Sequence, residues 1–226
     1  MRVDRIEPTK NIVRGFQVYA QVLADHPELY GKVVFLAFLV PLRQALPEYK
    51  RYAQKVLKSI EDIDAHYGTD EWRPIHTLWG NDRTRAPAAL QFYDVLLVNP
   101  ILDGMNLVAK EGPVVNQRNG VLVLSRTAGA FQQLAKACIP TSPTDVAETA
   151  QALYTALTLP APERPFGRIF CLCMHLFHFQ HGLNVVSFIG GPNSPTPVTT
   201  RCLSTTLYTG SLSGHRTVQA TSWEPI

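Results

Sequence analysis

The chain lacks any strong excess of charge: its 226 residues carry a formal net charge of only +3, and no run of Lys and Arg is longer than Lys50-Arg51. A nucleic-acid-binding surface needs a basic patch to neutralise phosphates, so composition argues against that class. Cysteine is scarce as well. The four thiols, Cys138, Cys171, Cys173 and Cys202, all lie in the C-terminal part and make no framework of bridges along the chain, which points to a reducing cytoplasm. The opening Met1-Arg2-Val3-Asp4-Arg5 has none of the basic start, apolar run and small-residue cleavage site of an export signal. Nor does a Gly-x-Gly-x-x-Gly turn follow any apolar run, which argues against a dinucleotide-dependent oxidoreductase.

What is present is an apolar content of 46%, enough for one sizeable α/β domain or two small ones. Up to about Leu157, short unbroken apolar runs alternate with amphipathic stretches. Residues 33–40, 95–98 and 121–124 hold no polar residue, as strands do when helices cover both faces of a parallel sheet; 75–78 is a weaker fourth. Ile12, Phe16, Tyr19 and Leu23 recur at helical spacing, as do Tyr49, Tyr52, Val56, Ile60 and Ile63. The first helix should stop near His26-Pro27, because the residue before a proline avoids helical geometry. A further helix should end near Tyr93, and the last should span 145–157. The expected fold is therefore α/β: a Rossmann-like parallel sheet flanked by helices over residues 1–160.

Past Pro160-Ala161-Pro162 the character changes, and from position 166 onward only Arg168, Arg201, Arg216 and Glu224 are charged. Residues 161–226 are rich in Ser, Thr, Gly and Pro and read as an irregular, poorly ordered tail. Its apolar stretch, 169–189, is interrupted by His175, His178, Gln180, His181 and Asn184, which weakens a membrane-spanning reading. Cys171, Cys173, His175, His178 and His181 are of the right types for zinc, yet their spacing matches no closed tetrahedral pattern, so no metal site is assigned.

The segment with the most chemistry is Asp103-Gly104-Met105-Asn106-Leu107-Val108-Ala109-Lys110-Glu111, which follows the expected strand at 95–98 through Asn99-Pro100-Ile101-Leu102. It therefore sits at the carboxyl end of a strand, the edge at which open parallel sheets bind ligands. Gly104 allows close backbone approach there. Asp103 in the loop and Glu111 one turn into the helix could hold hexose and ribose hydroxyls respectively; the bland alternative is a helix cap and a solvated acid. Arg5 and Lys10 flank a turn into the helix starting near Asn11, so two cations and a positive helix end converge where a diphosphate could sit, unless they are merely a solvated surface pair. Such a cradle would stabilise the negative charge of a diphosphate without a metal.

These motifs, in this order and spacing, resemble the trehalose-6-phosphate synthases, retaining glycosyltransferases built from two Rossmann-like domains, and specifically their C-terminal half. Residues 103–111 are similar to the family's donor-binding signature. Asp4-Arg5-Ile6-Glu7-Pro8-Thr9-Lys10-Asn11 is similar to its basic loop after a first strand, of which only the last residues are present. By the same resemblance Arg43, in Phe38-Leu39-Val40-Pro41-Leu42-Arg43, would contact the acceptor phosphate, although Leu42 stands where the family has a small hydroxyl residue; pairing of Arg43 with Glu48 is the alternative. Asn81, in Asn81-Asp82-Arg83, would border the nucleotide base through its backbone, without the aromatic the family often carries there; Asp82 as a simple helix cap is the competing assignment. Leu124-Ser125-Arg126-Thr127-Ala128-Gly129-Ala130 resembles the next strand-to-helix turn, where Ala128-Gly129 permits close packing.

The resemblance extends to about Glu163. It implies transfer of glucose from a nucleotide-glucose, with UDP-glucose the expected donor, to glucose 6-phosphate, giving α,α-trehalose 6-phosphate with retention. It implies no cofactor or metal, no nucleic-acid or membrane partner, a cytoplasmic location, and leaves a homo-oligomer open for a full-length protein. No catalytic residue is assigned in this half: the family's glycine loop, most of its acceptor pocket and a catalytic-site histidine belong to its other half, so these residues alone are expected to show no transfer. A glucosylglycerol-phosphate synthase-like transferase and a noncatalytic fragment remain alternatives.

Overall fold

The computed structural model describes residues 1–80, 84–160 and 163–164. Six strands and six helices alternate: β1 (Arg2–Arg5), α1 (Ile12–Asp25), β2 (Phe35–Val40), α2 (Pro47–Tyr67), β3 (Ile75–Trp79), α3 (Arg85–Leu90), β4 (Val95–Val98), α4 (Leu107–Val115), β5 (Val121–Ser125), α5 (Phe131–Leu134), β6 (Ile139–Thr141) and α6 (Val146–Thr158). Every strand pairing is parallel, in two ladders ordered β1-β2-β3 and β4-β5-β6. Met1 joins them: its amine donates to the Val95 carbonyl at 2.8 Å and its carbonyl accepts the Leu97 N–H at 2.9 Å. Across the join the order is β3-β2-β1-β4-β5-β6, the doubly wound arrangement in which chain direction along the sheet reverses between β1 and β4.

The continuous apolar runs are explained by burial on two faces. Val95 and Leu97 of β4, with Val121 and Val123 of β5, pack against Ile12, Phe16 and Leu23 of α1 and Leu153 and Ala156 of α6. The residues between them, Leu96, Val98, Leu122 and Leu124, point to the other side and pack with Leu90, Ala109 and Leu134. Alternating side chains of one strand thus enter two separate cores, so no position is left for a polar residue.

Most expected elements are present, with three corrections. β2 begins at Phe35 rather than 33, because Val33 and Val34 precede the first ladder residue, Phe35, which pairs with Ile75. α3 ends at Leu90, and Tyr93 lies in the turn beyond it with its ring against Gly112 and Gly120. β6 was not expected; Ile139–Thr141 is only three residues long and holds a proline, which an edge strand tolerates. The first helix stops before His26-Pro27 as the proline dictates, and Asp145 caps α6 by accepting the Glu148 N–H at 2.9 Å. The Cys- and His-bearing stretch of the tail lies outside the described residues.

Candidate functional site

The loops after β1 and β4 leave the sheet side by side at the point of reversal, the place at which open parallel sheets bind ligands. They are bonded to each other. Ile101 N–H donates to the Thr9 carbonyl at 2.8 Å, and Asn11 Nδ2 donates to the carbonyls of Asn99 (3.0 Å) and Pro143 (2.7 Å). Asn11 is left-handed, with φ of 59°, and buried; asparagine is one of the few side-chain-bearing residues that adopt this conformation readily. One residue therefore ends the turn Pro8–Lys10, starts α1, and fastens three strand-end loops together.

At the apex Lys10 Nζ meets Asp103 Oδ2 at 2.5 Å, and Asn106 Nδ2 donates to the same oxygen at 2.9 Å. Asn106 is also left-handed, φ 61°, and its Oδ1 caps α4 by accepting the Ala109 N–H at 3.1 Å. The turn after β5 braces this loop from below: Gly129 N–H donates to the Asp103 carbonyl and Ala130 N–H to the Met105 carbonyl, each at 3.0 Å, and Thr127 Oγ1 donates to the Pro100 carbonyl at 3.0 Å. Gly129 has no room for a Cβ, because the Gly104 carbonyl occupies that space. The close packing expected around Ala128-Gly129 is present.

Within residues 103–111 the duties divide. Asn106 and Ala109 are buried and hold the loop to the helix, Lys110 is buried and Val108 half-buried, while Met105, Leu107 and Glu111 are exposed. A Cβ at Gly104 would meet open space. Lys10 and Asp103, assigned separately from sequence to a phosphate and to sugar hydroxyls, are brought onto each other. Arg5 is 56% exposed and pairs with Glu7 at 3.3 Å, leaving it reachable from solvent. The amino end of α1 is partly occupied from within the fold: the Ile12 N–H donates to the Tyr52 hydroxyl of α2 at 2.8 Å, which reduces the free positive end expected there.

Arg43 takes a left-handed conformation, φ 48°, and its guanidinium lies over the Tyr49 ring, 5.6 Å from the centroid, with Nη1 donating to the Tyr49 hydroxyl at 3.3 Å. The alternative partner, Glu48, pairs with Arg51 instead, at 3.4 Å. Asn81 and Asp82 lie outside the described residues.

The pairing of two charged residues under the site escaped the sequence reading. Arg2, the first residue of β1, is 0% exposed, and Asp4 two residues on points to the same face and accepts from it at 2.8 Å and 3.1 Å. Burial pushes the Asp4 carboxyl above the usual carboxylate range, and the adjacent Arg2 cation opposes that shift. What the sequence reading missed was the pairing, for which the signal was two opposite charges at strand period, Arg2-Val3-Asp4, an arrangement worthwhile in a core only as a pair. An open cavity of about 700 Å³ lies at the amino ends of the strands, bordered by Met1, Val33, Phe35, Tyr93, Val95 and Leu153, and none of the candidate residues among those described lines it.

Comparison with known proteins bears on this geometry. Residues 1–167 match the model of glycosyltransferase family 20. A bifunctional trehalose-6-phosphate synthase/phosphatase of Thermoproteus tenax is 36% identical over 167 residues, covering 72% of this chain and 22% of that protein. An α,α-trehalose-phosphate synthase (UDP-forming) of Schizosaccharomyces pombe is 37% identical over 164 residues, 72% of this chain and 32% of its own length. Among solved structures, the E. coli trehalose-6-phosphate protein bound with UDP-2-fluoro glucose superposes with a TM-score of 0.74 at 30% identity, covering 77% of this chain and 40% of that one. A Burkholderia xenovorans α,α-trehalose-phosphate synthase (UDP-forming) in complex with glucose-6-phosphate gives a TM-score of 0.74 at 31% identity, over 78% and 39%. The chain thus spans less than half the length of these relatives. Its parallel sheet reversing between β1 and β4, the likeness to these solved structures and the family match over about three quarters of its length make it a member of glycosyltransferase family 20.

Proposed function

We propose that this chain is the donor-binding half of a UDP-forming α,α-trehalose-phosphate synthase, which moves glucose from UDP-glucose to glucose 6-phosphate. The observation that carries the reading is the Lys10–Asp103–Asn106 cluster at the sheet's reversal point, inside a segment of family 20 sequence. An ammonium has three donor hydrogens, so Lys10 keeps its bond to Asp103 while offering another to a diphosphate oxygen. Arg5, exposed on the neighbouring strand end, supplies a second cation to the same anion. Among the described residues both bonds to the Asp103 carboxylate fall on Oδ2, which leaves Oδ1 to accept a sugar hydroxyl. Glu111 on α4 accepts ribose hydroxyls, the backbone of Asn81 borders the base, and Arg43 reaches the acceptor phosphate.

In this scheme charge accumulating on the leaving diphosphate is met by fixed cations, and no side chain of this half forms a covalent bond to the sugar. Retention then depends on the acceptor attacking the face the diphosphate leaves, with a phosphate oxygen taking its proton. The scarcity of cysteine and the location of all four thiols in the C-terminal part support a cytoplasmic setting.

Calorimetric titration of the 226-residue chain with UDP, UDP-glucose and uridine tests the donor half of this reading. UDP should bind more tightly than uridine, and UDP-glucose more tightly than UDP. Lys10→Met should shrink the advantage of UDP over uridine, with Arg5 keeping the remainder, and Asp103→Ala should remove the advantage of UDP-glucose over UDP. Equal, weak binding of all three ligands by the unsubstituted chain would refute it.

A further inference from the structure

Arg2 is the most deeply buried charge in the described chain and has no place in the donor chemistry above. Its guanidinium spreads over three acceptors that sequence does not bring together. Nε and Nη2 donate to the Asp4 carboxylate, Nη2 also to the Lys10 carbonyl at 3.0 Å, and Nη1 to the Ile12 carbonyl at 3.4 Å. The two carbonyls bracket Asn11, the left-handed residue on which the loop reverses into α1. Its Cζ lies 6.0 Å from the centroid of the Phe16 ring, and a side chain at position 15 would collide with Nη1, so Gly15 is where the helix makes room for it.

We propose that Arg2 is a positioning residue for the donor site, holding the Lys10 loop in the shape that places the Lys10 ammonium against Asp103. This rests on the donor-site reading above. Two physical effects combine. A planar fork bonded on both sides of a left-handed residue fixes the direction of the loop, whereas a single bond would leave it free to pivot. The same cation neutralises Asp4, whose carboxylate would otherwise sit uncompensated beneath a site meant for an anion, within the range over which a buried charge is poorly screened. Arg2 touches no ligand in this scheme; it acts through the backbone of Lys10 and through the charge of Asp4.

Arg2→Lys separates the effects, because it keeps a cation beside Asp4 but lacks the fork needed to reach both carbonyls. It should weaken UDP binding by about tenfold, the equivalent of one charge-assisted bond, while uridine affinity stays as it was. Hydrogen exchange of the Lys10, Asn11 and Ile12 amides should speed up while amides of β4 and β5 keep their protection. Should Arg2→Lys fold poorly, the pair variant Arg2→Met with Asp4→Leu fills the space with apolar groups and should show the same selective loss. Unchanged exchange at residues 10–12 together with unchanged UDP affinity would overturn the proposal. So would a general rise in exchange across the sheet with UDP and uridine weakened alike, since that marks a role in stability only. The exchange measurement needs no ligand: local loosening in a chain whose unsubstituted form ignores UDP would refute the donor-site reading and leave the positioning role standing.

Discussion

Replacing Gly129 by alanine should damage the site from a position that touches no ligand. The added Cβ would fall on the Gly104 carbonyl, which is backbone and cannot swing aside as a side chain would. Relief requires the turn after β5 to retreat from the loop after β4, stretching the Gly129 N–H bond to the Asp103 carbonyl and the Ala130 N–H bond to the Met105 carbonyl, both 3.0 Å. Overpacking of this kind costs about 1–3 kcal/mol. Loss of one backbone hydrogen bond adds roughly 1 kcal/mol, for a total of about 2–4 kcal/mol. For a domain of this size each kcal/mol lowers Tm by about 2–4 °C, so the expected fall is roughly 4–16 °C. Urea denaturation followed by circular dichroism should show a lower midpoint at unchanged slope, the mark of lost stability without a change in the surface exposed. UDP-glucose affinity should fall more than UDP affinity, because Asp103 moves and Lys10 does not. A Gly129→Ala chain with the original midpoint and an unaltered preference for UDP-glucose would refute the idea that the β5 turn sets the position of Asp103.

Two further outcomes follow from the same geometry. Asn106→Ala removes the cap on α4 and the bond to Asp103 and leaves alanine in a left-handed conformation, so it should cost about 2 kcal/mol, whereas Asn106→Gly should be milder by about 1 kcal/mol; matched urea titrations of the two variants decide this. Burial lifts the Cys138 thiol from its ordinary 9 to about 11, so the folded chain favours the protonated form. The Cys138 contribution to stability should be constant below pH 9 and be lost between pH 9 and 11 as the unfolded chain ionises first, so Cys138→Ala should make the fall of the urea midpoint across that window shallower.

The fold was legible where one interaction dominated. Runs such as Val95–Val98 bury alternate residues in two cores, and nothing but a covered parallel strand requires that. Boundaries set by proline or by an acidic cap, at His26-Pro27 and Asp145, were legible for the same reason. The short edge strand Ile139–Thr141 was not, because three residues including a proline carry no periodicity and are held there by β5 alone. Helix α3 was misjudged at its end because Tyr93 looks like one more apolar helical position, whereas its ring fills the space left by Gly112 and Gly120.

By itself the sequence determined the order of strands and helices, the two-sided burial, and the residue types proposed to meet an anion and a sugar, since each depends on neighbours in the chain. Tertiary structure alone decided which of those residues face one another. The pairing of Lys10 with Asp103 spans 93 positions, the bracing of Asp103 by Gly129 depends on two loops meeting above the sheet, and the burial of Arg2 on a glycine thirteen residues away. Such contacts arise from the direction in which strands enter the sheet and the side to which their loops diverge. That is a property of the whole parallel array and is carried by no local stretch of sequence.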